Sequence, residues 1–276
     1  MEQYEVGPLL LDDDGRVPVR WFAKADNFGD LLAPWLIARM TVREVTYFDP
    51  GRPHYVVIGS ILNRTTPHAT VWGAGSFGTE GPHRFSPEAT YAAVRGPLTR
   101  ARLVVRDIEC PEVYGDPALL TPAYFAPTVR QTHQFGILAR WSEKRWAGAE
   151  IGPGVRLIDL GTKDVEGVIE AMLPCRRIVT GSLHGLIMAD AYGLPSAWVA
   201  SDTAYGGYFK FFDYFATVHK FRTAQHFDPS VPVTAALLGA SLSFDGRPIR
   251  FDYRALLDAC PFLVPAGSGT GRRYAR

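Results

Sequence analysis

The chain has 276 residues, of which 47% are hydrophobic and 21% charged, and its formal net charge is +1. This balance is typical of a globular protein and argues against nucleic-acid binding through bulk positive charge. Three distant cysteines, Cys110, Cys175 and Cys260, argue against a disulfide framework and a cysteine zinc site. The acidic first residues lack a signal-peptide layout and no apolar run is long enough to span a membrane, so we expect a cytoplasmic protein.

Short β-rich runs alternate with helical patterns along the first half of the chain. This alternation is typical of a layered α/β protein with parallel sheets. The pattern predicts strands at 17–23, 44–48, 55–59, 70–73 and 91–94, helices at 31–40 and 97–104, and a short strand that ends in a loop at 113–122.

Residues 123–134 contain proline and polar residues without periodicity and are predicted to be a linker. We therefore expect two Rossmann-like domains, 1–125 and 126–265, that face a central cleft, followed by a flexible tail over 266–276. In the second half the pattern predicts strands at 135–139, 155–160, 176–180 and 196–200, and helices near 142–149 and over 164–173, 183–192 and 208–218.

The segment Gly73–Gly78, GAGSFG, satisfies the dinucleotide pattern G-x-G-x-x-G after a strand. A dinucleotide site needs a helix to open there and an acidic residue about 20 positions later. Poor helix-forming residues follow instead, and the next strand ends in Arg95, which suits only a 2′-phosphate. NADP binding stays an alternative, and the glycines otherwise indicate either close ligand contact or a tight turn.

Ligands of parallel sheets bind beyond the carboxyl ends of the strands. This rule selects small, donor-rich and titratable side chains that follow five of the predicted strands. They are Asn27 and Asp30, Gly75 and Ser76, Arg95, Asp116, and Ser182, Leu183 and His184.

Three basic residues are the strongest candidates for contact with an anion. His184 lies at a helix start that Ser182 can cap, where N–H groups favour an anion, although a packed polar spacer is the alternative. Arg95 follows a strand and precedes Gly96-Pro97, so it predicts an anion clamp or else a surface ion pair. Lys210 lies among aromatic residues that suit a sugar, or it is a solvated lysine on a core-facing helix.

Six motifs in order over residues 25–215 together resemble one family. They are NFGDLLAPWLI, GAGSFG, VRGPLT, YGDPALL, GSLHGLIMADAYGLP and KFFDYF. This set resembles the polysaccharide pyruvyl transferase family. The resemblance implies transfer of enolpyruvate from phosphoenolpyruvate to a sugar, usually as a cyclic pyruvate ketal. It also implies a GT-B-like fold with the donor in the inter-domain cleft.

The resemblance also implies roles for particular residues. Arg95 matches the donor-binding arginine of the family, and Ser182-Leu183-His184 matches its Arg/Ser-Leu-His segment, in which many members have arginine where this chain has Ser182. We expect the C-terminal domain to bind the donor and the N-terminal domain the acceptor. The expected donor-binding residues are Arg95, Ser182, Leu183, His184, Lys210, Gly75 and Ser76.

For the chemistry, we expect His184 to be the proton donor, Asp30 or Asp116 to be the base, and Asn27 to orient the acceptor beside Asp30. We expect no metal and no cofactor besides phosphoenolpyruvate as donor substrate. The expected acceptor is a glycan or lipid-linked oligosaccharide of the cell envelope, met at the inner face of the cell membrane. The alternatives are a GT-B glycosyltransferase that uses a nucleotide sugar and a non-catalytic glycan-binding protein of the same fold.

Overall fold

The computed structural model describes residues 3–140, 142–201 and 206–267. Within these residues the chain forms two parallel sheets with helices between their strands, so the predicted α/β class is confirmed. Most of the predicted tail at 266–276 lies outside the described residues.

The first parallel sheet has five strands in the order β3-β2-β4-β5-β6. A separate first strand, β1, precedes it, α1 connects β2 to β3, and α2 follows β6. The bounds are β1 (Tyr4–Val6), β2 (Val17–Arg20), α1 (Phe28–Thr41), β3 (Val45–Tyr47), β4 (His54–Val56), β5 (Ala69–Trp72), β6 (Thr90–Ala93) and α2 (Pro97–Val104).

The second parallel sheet has four strands in the order β10-β9-β7-β8. Its helices connect β8 to β9 and β9 to β10, and α5 and α6 follow the sheet. The bounds are β7 (His133–Ala139), β8 (Val155–Asp159), α3 (Val165–Met172), β9 (Cys175–Thr180), α4 (Leu183–Ala191), β10 (Ser196–Trp198), α5 (Phe209–Val218) and α6 (Ala235–Ser241).

Helix α4 is almost fully enclosed by the rest of the protein. All its residues except His184 and Ala191 are buried. A helix that is apolar all round lies inside a protein rather than at its surface. One side of α4 packs on the 3₁₀ turn Pro117–Ala123, which follows the first sheet, so the helix connects the two halves.

The end of the chain packs back on the first sheet. After α7 (Tyr253–Asp258), strand β11 (Leu263–Pro265) pairs antiparallel with β1. Phe262 is fully buried, with its ring centroid 5.2 Å from that of Tyr55 and 5.4 Å from that of Trp72. Residues close to the end of the chain therefore complete the core beside β4 and β5. The predicted boundaries 1–125 and 126–265 stay a prediction.

The predicted helix near residues 142–149 is wrong. Only the 3₁₀ turn Lys144–Trp146 forms there, because Trp146 is buried and the polar side chains beside it bond to backbone groups elsewhere. Glu143 accepts a hydrogen bond from the Arg140 N–H, and Arg145 donates to the Ala200 carbonyl oxygen. The predicted strand at 113–122 reduces to a single bridge at Tyr114, followed by the 3₁₀ turn.

We predict that Phe262→Ala lowers the free energy of unfolding by about 3–5 kcal/mol, because it opens a cavity between Tyr55 and Trp72. The control is Phe221→Ala, since Phe221 is 59% exposed and its loss should change that free energy by only about 0.5 kcal/mol. Urea unfolding monitored by circular dichroism measures both. Equal effects of the two substitutions would contradict the packing described for β11.

Candidate functional site

A cavity of about 390 Å³ lies at the carboxyl ends of the strands, between the two halves of the chain. Residues after β2, β4, β5, β7 and β9 line it, together with the start of α5. Its lining contains four basic side chains and one carboxylate. The lining residues are Phe22, Asn27, Asp30, Ser60, Ile61, Asn63, Arg64, Phe77, Arg140, Ser182, Leu183, His184 and Lys210.

The start of α1 contributes the carboxylate. Asn27 precedes the helix, and its side-chain amide donates a hydrogen bond to Asp30 Oδ2 at 2.5 Å. Burial raises the pKa of Asp30 above its ordinary value, although the nearby His184 and the Asn27 hydrogen bond oppose the change. A carboxylate whose pKa is raised is a stronger base when ionised, which suits it to accept a proton from a hydroxyl.

The start of α4 contributes backbone donors beside His184. Thr180, the last residue of β9, donates its hydroxyl to the Leu138 carbonyl oxygen and accepts from the Ser182 N–H at 3.0 Å. The Ser182 hydroxyl accepts from the Gly185 N–H at 3.3 Å, so the predicted capping role of Ser182 is confirmed. A capped helix start in a cavity is a favourable place for an anion because its free N–H groups and the helix dipole both attract negative charge.

His184 lies between the cavity and a buried carboxylate. The side chain is 12% exposed, and its Nε2 is 3.7 Å from Asp116 Oδ2, which is fully buried. Neither atom has another hydrogen-bond partner among the described residues. Asp116 also holds the 3₁₀ turn through Ala118 N–H, so its position is fixed. Asp116 therefore lies on the side of the imidazole away from the cavity. A small movement of the ring would bring Nε2 and Oδ2 within hydrogen-bond distance.

Lys210 reaches the cavity from the first turn of α5. Its amine lies 5.5 Å from the ring centroid of Phe77 and 5.6 Å from that of Phe211. Within the described residues the amine has no hydrogen-bond or ion-pair partner. Burial, followed by the positive charges of Arg140 and Arg95, lowers the pKa of Lys210 to about 7, and Asp30 opposes this only in part. The amine can therefore exchange a proton near neutral pH.

Two further arginines line the cavity. Arg140 directly follows β7, and its guanidinium donates to Ser142 Oγ at 3.0 Å. Burial lowers the pKa of this arginine, which is a measure of how little water surrounds it. Arg64 is exposed, lies after β4 and stacks 5.6 Å above the Phe22 ring. With His184 and Lys210 they surround the space with basic groups from both halves of the chain.

Arg95 lies behind the cavity wall rather than in it. It has no exposed surface and donates from Nε to Asp213 Oδ2 at 3.0 Å. It also donates to Ser60 Oγ at 2.8 Å and to the Ser76 carbonyl oxygen at 2.7 Å. The ion pair of Arg95 is therefore buried and does not lie at the surface, where the sequence alternative places it.

The glycine-rich segment is occupied by contacts within the protein. The guanidinium of Arg95 packs on Gly75, and the Ser76 N–H donates to Thr99 Oγ1 at 3.1 Å. Gly73 and Gly78 have positive φ angles of 94° and 90°, and side chains of Pro117 and Phe209 fill the space where a Cβ would be. The segment thus forms a tight turn that supports the cavity wall, and only Phe77 of it lines the cavity.

The structure brings six of the predicted site residues to one cavity and places four behind its wall. The six are Asn27, Asp30, Ser182, Leu183, His184 and Lys210, and the four are Gly75, Ser76, Arg95 and Asp116. Their individual roles stay predictions. The sequence interpretation missed Ser60, Arg64 and Arg140. Ser60 and Arg140 follow predicted strands closely, so the rule that selected the other residues would have found both.

Within the described residues no group of three or more histidine, cysteine or acidic side chains is arranged to hold a metal ion. In the same residues no helix combines the length and apolarity that crossing a membrane requires.

The fold and cavity define an α/β protein whose cationic site suits a small anion. The family model for polysaccharide pyruvyl transferases matches residues 71–203, which include Arg95, Asp116 and His184. This match and the relatives described next support the polysaccharide pyruvyl transferase family for this chain. The resemblance predicted from the six motifs is confirmed.

Two curated relatives and one solved structure are similar to this chain. An uncharacterized protein of Acanthamoeba polyphaga mimivirus is 24% identical over 198 residues, which cover 67% of each chain. The succinoglycan biosynthesis protein ExoV of Rhizobium meliloti (strain 1021) is 29% identical over 206 residues, which cover 68% of this chain but only 60% of ExoV. A crystal structure of an uncharacterized Klebsiella pneumoniae protein has a TM-score of 0.43 and 9% identity, and covers 72% of this chain and 86% of that one.

We predict that Gly29→Ala displaces His184, because a methyl group at residue 29 overlaps the imidazole ring. The His184 resonances, assigned by His184→Gln among the seven histidines, should move, and the free energy of unfolding should fall by about 1–3 kcal/mol. The matched control is Gly148→Ala, since no atom lies within 4 Å of an added Cβ there. Unmoved His184 signals in Gly29→Ala would show that the ring does not pack on α1.

We predict that Lys210→Met changes how stability depends on pH. The pKa of Lys210 in the folded protein, about 7, lies below its ordinary value of 10.5, so the unfolded chain binds more protons between these values. The wild-type protein should therefore gain stability relative to Lys210→Met as pH rises from 7 towards 10.5. Thermal unfolding at pH 7 and pH 9 measures this, with exposed Lys24→Met as the control. A pH-independent difference would contradict the buried state of the amine.

Proposed function

We propose that this chain is a pyruvyl transferase that moves enolpyruvate from phosphoenolpyruvate onto a sugar of a cell-envelope or extracellular glycan, forms a pyruvate ketal and releases phosphate. The observation that carries the proposal is the cavity in which Arg64, Arg140, His184 and Lys210 surround a capped helix start and one carboxylate. The family match and the similarity to ExoV support the same class of reaction.

The charge of the cavity supports an anionic donor. Phosphoenolpyruvate carries a phosphate and a carboxylate, which need guanidinium, ammonium and N–H donors. Arg140 and the start of α4 lie on the side of the second sheet, and Lys210 lies on α5, so we assign donor binding to these groups. Two arginines in the lining also supply the charge that Ser182 lacks in comparison with family members that have arginine there.

The acid and base are assigned by position. In the proposed step, His184 gives its proton to the methylene carbon of the donor, and a sugar hydroxyl oxygen bonds to the adjacent carbon. Asp30 takes the hydroxyl proton, with Asn27 orienting the carboxylate through their hydrogen bond. The bond between that carbon and the phosphate oxygen then breaks, phosphate leaves, and a second hydroxyl adds to close the ketal while its proton passes to phosphate or solvent.

Asp116 supports the acid rather than the acceptor in this scheme. Its Oδ2 faces His184 Nε2 at 3.7 Å from the side opposite the cavity, so it helps to fix the orientation of the imidazole. Asp30 is then the carboxylate available to the acceptor, because it alone of the two lines the cavity.

We further propose that the two parallel sheets are the halves of a GT-B-like fold, with the acceptor on the side of the first sheet. Asn27, Asp30 and Arg64 come from that side, and Arg140, Ser182 and His184 from the other. The acceptor is a glycan or lipid-linked oligosaccharide that the protein meets at the inner face of the cell membrane, and no cofactor besides the donor substrate is needed.

The test is thermal stability with phosphoenolpyruvate, inorganic phosphate, a nucleotide sugar and NADPH in parallel. Phosphoenolpyruvate at about 100 times its dissociation constant should stabilise the folded protein by about 2.7 kcal/mol, which raises the melting temperature by about 5 °C or more. The shift should exceed that with phosphate. A shift only with the nucleotide sugar favours a glycosyltransferase, a shift only with NADPH favours a dinucleotide enzyme, and glycan binding without any donor response favours a binding protein.

We predict that His184→Asn slows phosphate release from phosphoenolpyruvate at least about 100-fold while it retains most of the donor-induced stabilisation, because it removes the acid more than the binding charge. The assay uses oligosaccharide acceptors with free 4- and 6-hydroxyls. His68→Asn is the control, since His68 is exposed and lies outside the cavity. Unchanged turnover in His184→Asn would contradict the assignment of the acid.

A further inference from the structure

A buried ion pair joins the helix that carries Lys210 to the first half of the chain. Asp213 lies three residues after Lys210 on α5 and has no exposed surface. Its carboxylate accepts from Arg95 Nε at 3.0 Å, from the Thr99 N–H at 2.8 Å and from Thr99 Oγ1 at 2.6 Å. The Thr217 hydroxyl, one turn further along α5, donates to the Arg95 carbonyl oxygen at 2.7 Å.

Arg95 also reaches the cavity wall from behind. Its Nη1 donates to the hydroxyl of Ser60, and Ser60 lines the cavity. The same guanidinium lies close enough to Lys210 to lower the pKa of its amine. One buried side chain thus holds the helix that carries Lys210, holds a serine of the wall and acts on the charge of the amine.

We propose that Arg95 is a positioning residue of this site: with Asp213 it fixes α5 so that the amine of Lys210 stands in the cavity, and it does not itself contact the donor. This inference rests on the proposed function, in which the cavity binds phosphoenolpyruvate. It differs from the direct donor contact that the family resemblance implies for Arg95.

Charged groups from several elements surround Lys210 and influence the pKa of its amine. Arg140 after β7 and Arg95 after β6 disfavour the protonated amine, and Asp30 on α1 favours it. Arg64 and His184 line the same cavity, and Asp213 lies on the same helix as Lys210 but is neutralised by Arg95. Removing either member of the ion pair alone must therefore move the titration of Lys210, and in opposite directions.

The experiment measures the titration of Lys210 directly. The chain contains five lysines, so labelling with ¹³C-lysine gives few NMR signals. The signal of Lys210 is identified by its absence in Lys210→Arg. In Arg95→Gln the lost positive charge and the unpaired carboxylate should raise the Lys210 pKa by about one pH unit or more. In Asp213→Asn, which keeps the shape of the side chain, the unpaired guanidinium should lower it by a similar amount.

Measurements of phosphoenolpyruvate binding distinguish a positioning role of Arg95 from direct contact with the donor. At pH 6 Lys210 is mostly protonated in the wild type and in Arg95→Gln and about half protonated in Asp213→Asn. The two variants should therefore weaken phosphoenolpyruvate binding to a similar extent, within about threefold of each other. At pH 8 Arg95→Gln should be the tighter binder of the two, because its Lys210 stays charged. A loss of about 100-fold at pH 6 in Arg95→Gln alone would overturn the proposal, since that is the result of removing a charged donor ligand.

One further variant serves as a control. Ser60→Ala removes the contact of Arg95 with the wall without disturbing the ion pair, so the Lys210 titration should stay unchanged if charge controls it. If Arg95→Gln does not fold, Asp213→Asn and Ser60→Ala still test the direction of the shift. A titration that moves the same way in both ion-pair variants, or an ordinary Lys210 pKa in the wild-type protein, overturns the proposal. Because the titration is measured without donor, failure of phosphoenolpyruvate to bind would refute the proposed function separately.

Discussion

The ion pair between Arg95 and Asp213 is the contact on which the geometry of the cavity depends. Two charges without access to water are costly unless every donor and acceptor is used, and here the carboxylate and guanidinium bond to each other and to Thr99, Ser60 and Ser76. Removing one partner leaves the other charged and buried, so the loss of either residue alone is destabilising. The pair thereby fixes the positions of β6, α2 and α5 relative to one another.

Two basic side chains that line the cavity, Lys210 and His184, form no hydrogen bond with an acidic side chain within the described residues. A second buried cluster, in which Asp190 bonds to Lys220, Arg222 and Tyr214, shows that the interior elsewhere supplies its basic side chains with partners. Lys210 has no such partner within the described residues, and His184 has only a carboxylate 3.7 Å away. Buried basic groups without a close acidic partner lose hydration and attract an incoming anion more strongly, which favours tight binding of a small anion.

Much of the fold could be predicted because its central strands and helices have clear apolar patterns. The strand ends also predicted five cavity residues, since parallel strands place their carboxyl ends at one edge. The sixth, Lys210, was predicted from the aromatic residues around it. The position of Arg95 behind the wall could not be predicted, because its partner Asp213 lies 118 residues away and looks like any polar residue of an aromatic helix. The short strands β1 and β11 were missed for a similar reason: three residues have no periodicity, and their pairing is defined only by the folded chain.

The pairing of β1 with β11 has a consequence for the order of folding. Trp72 donates its indole N–H to the Leu256 carbonyl oxygen, a contact that spans 184 residues, and Phe262 covers the same region of the first sheet. During synthesis on the ribosome, the first sheet therefore emerges with part of its apolar face uncovered until Leu256 and Phe262 have been made. Contacts so distant in sequence slow folding and expose apolar surface to aggregation. The halves of this protein consequently mature together rather than one after the other.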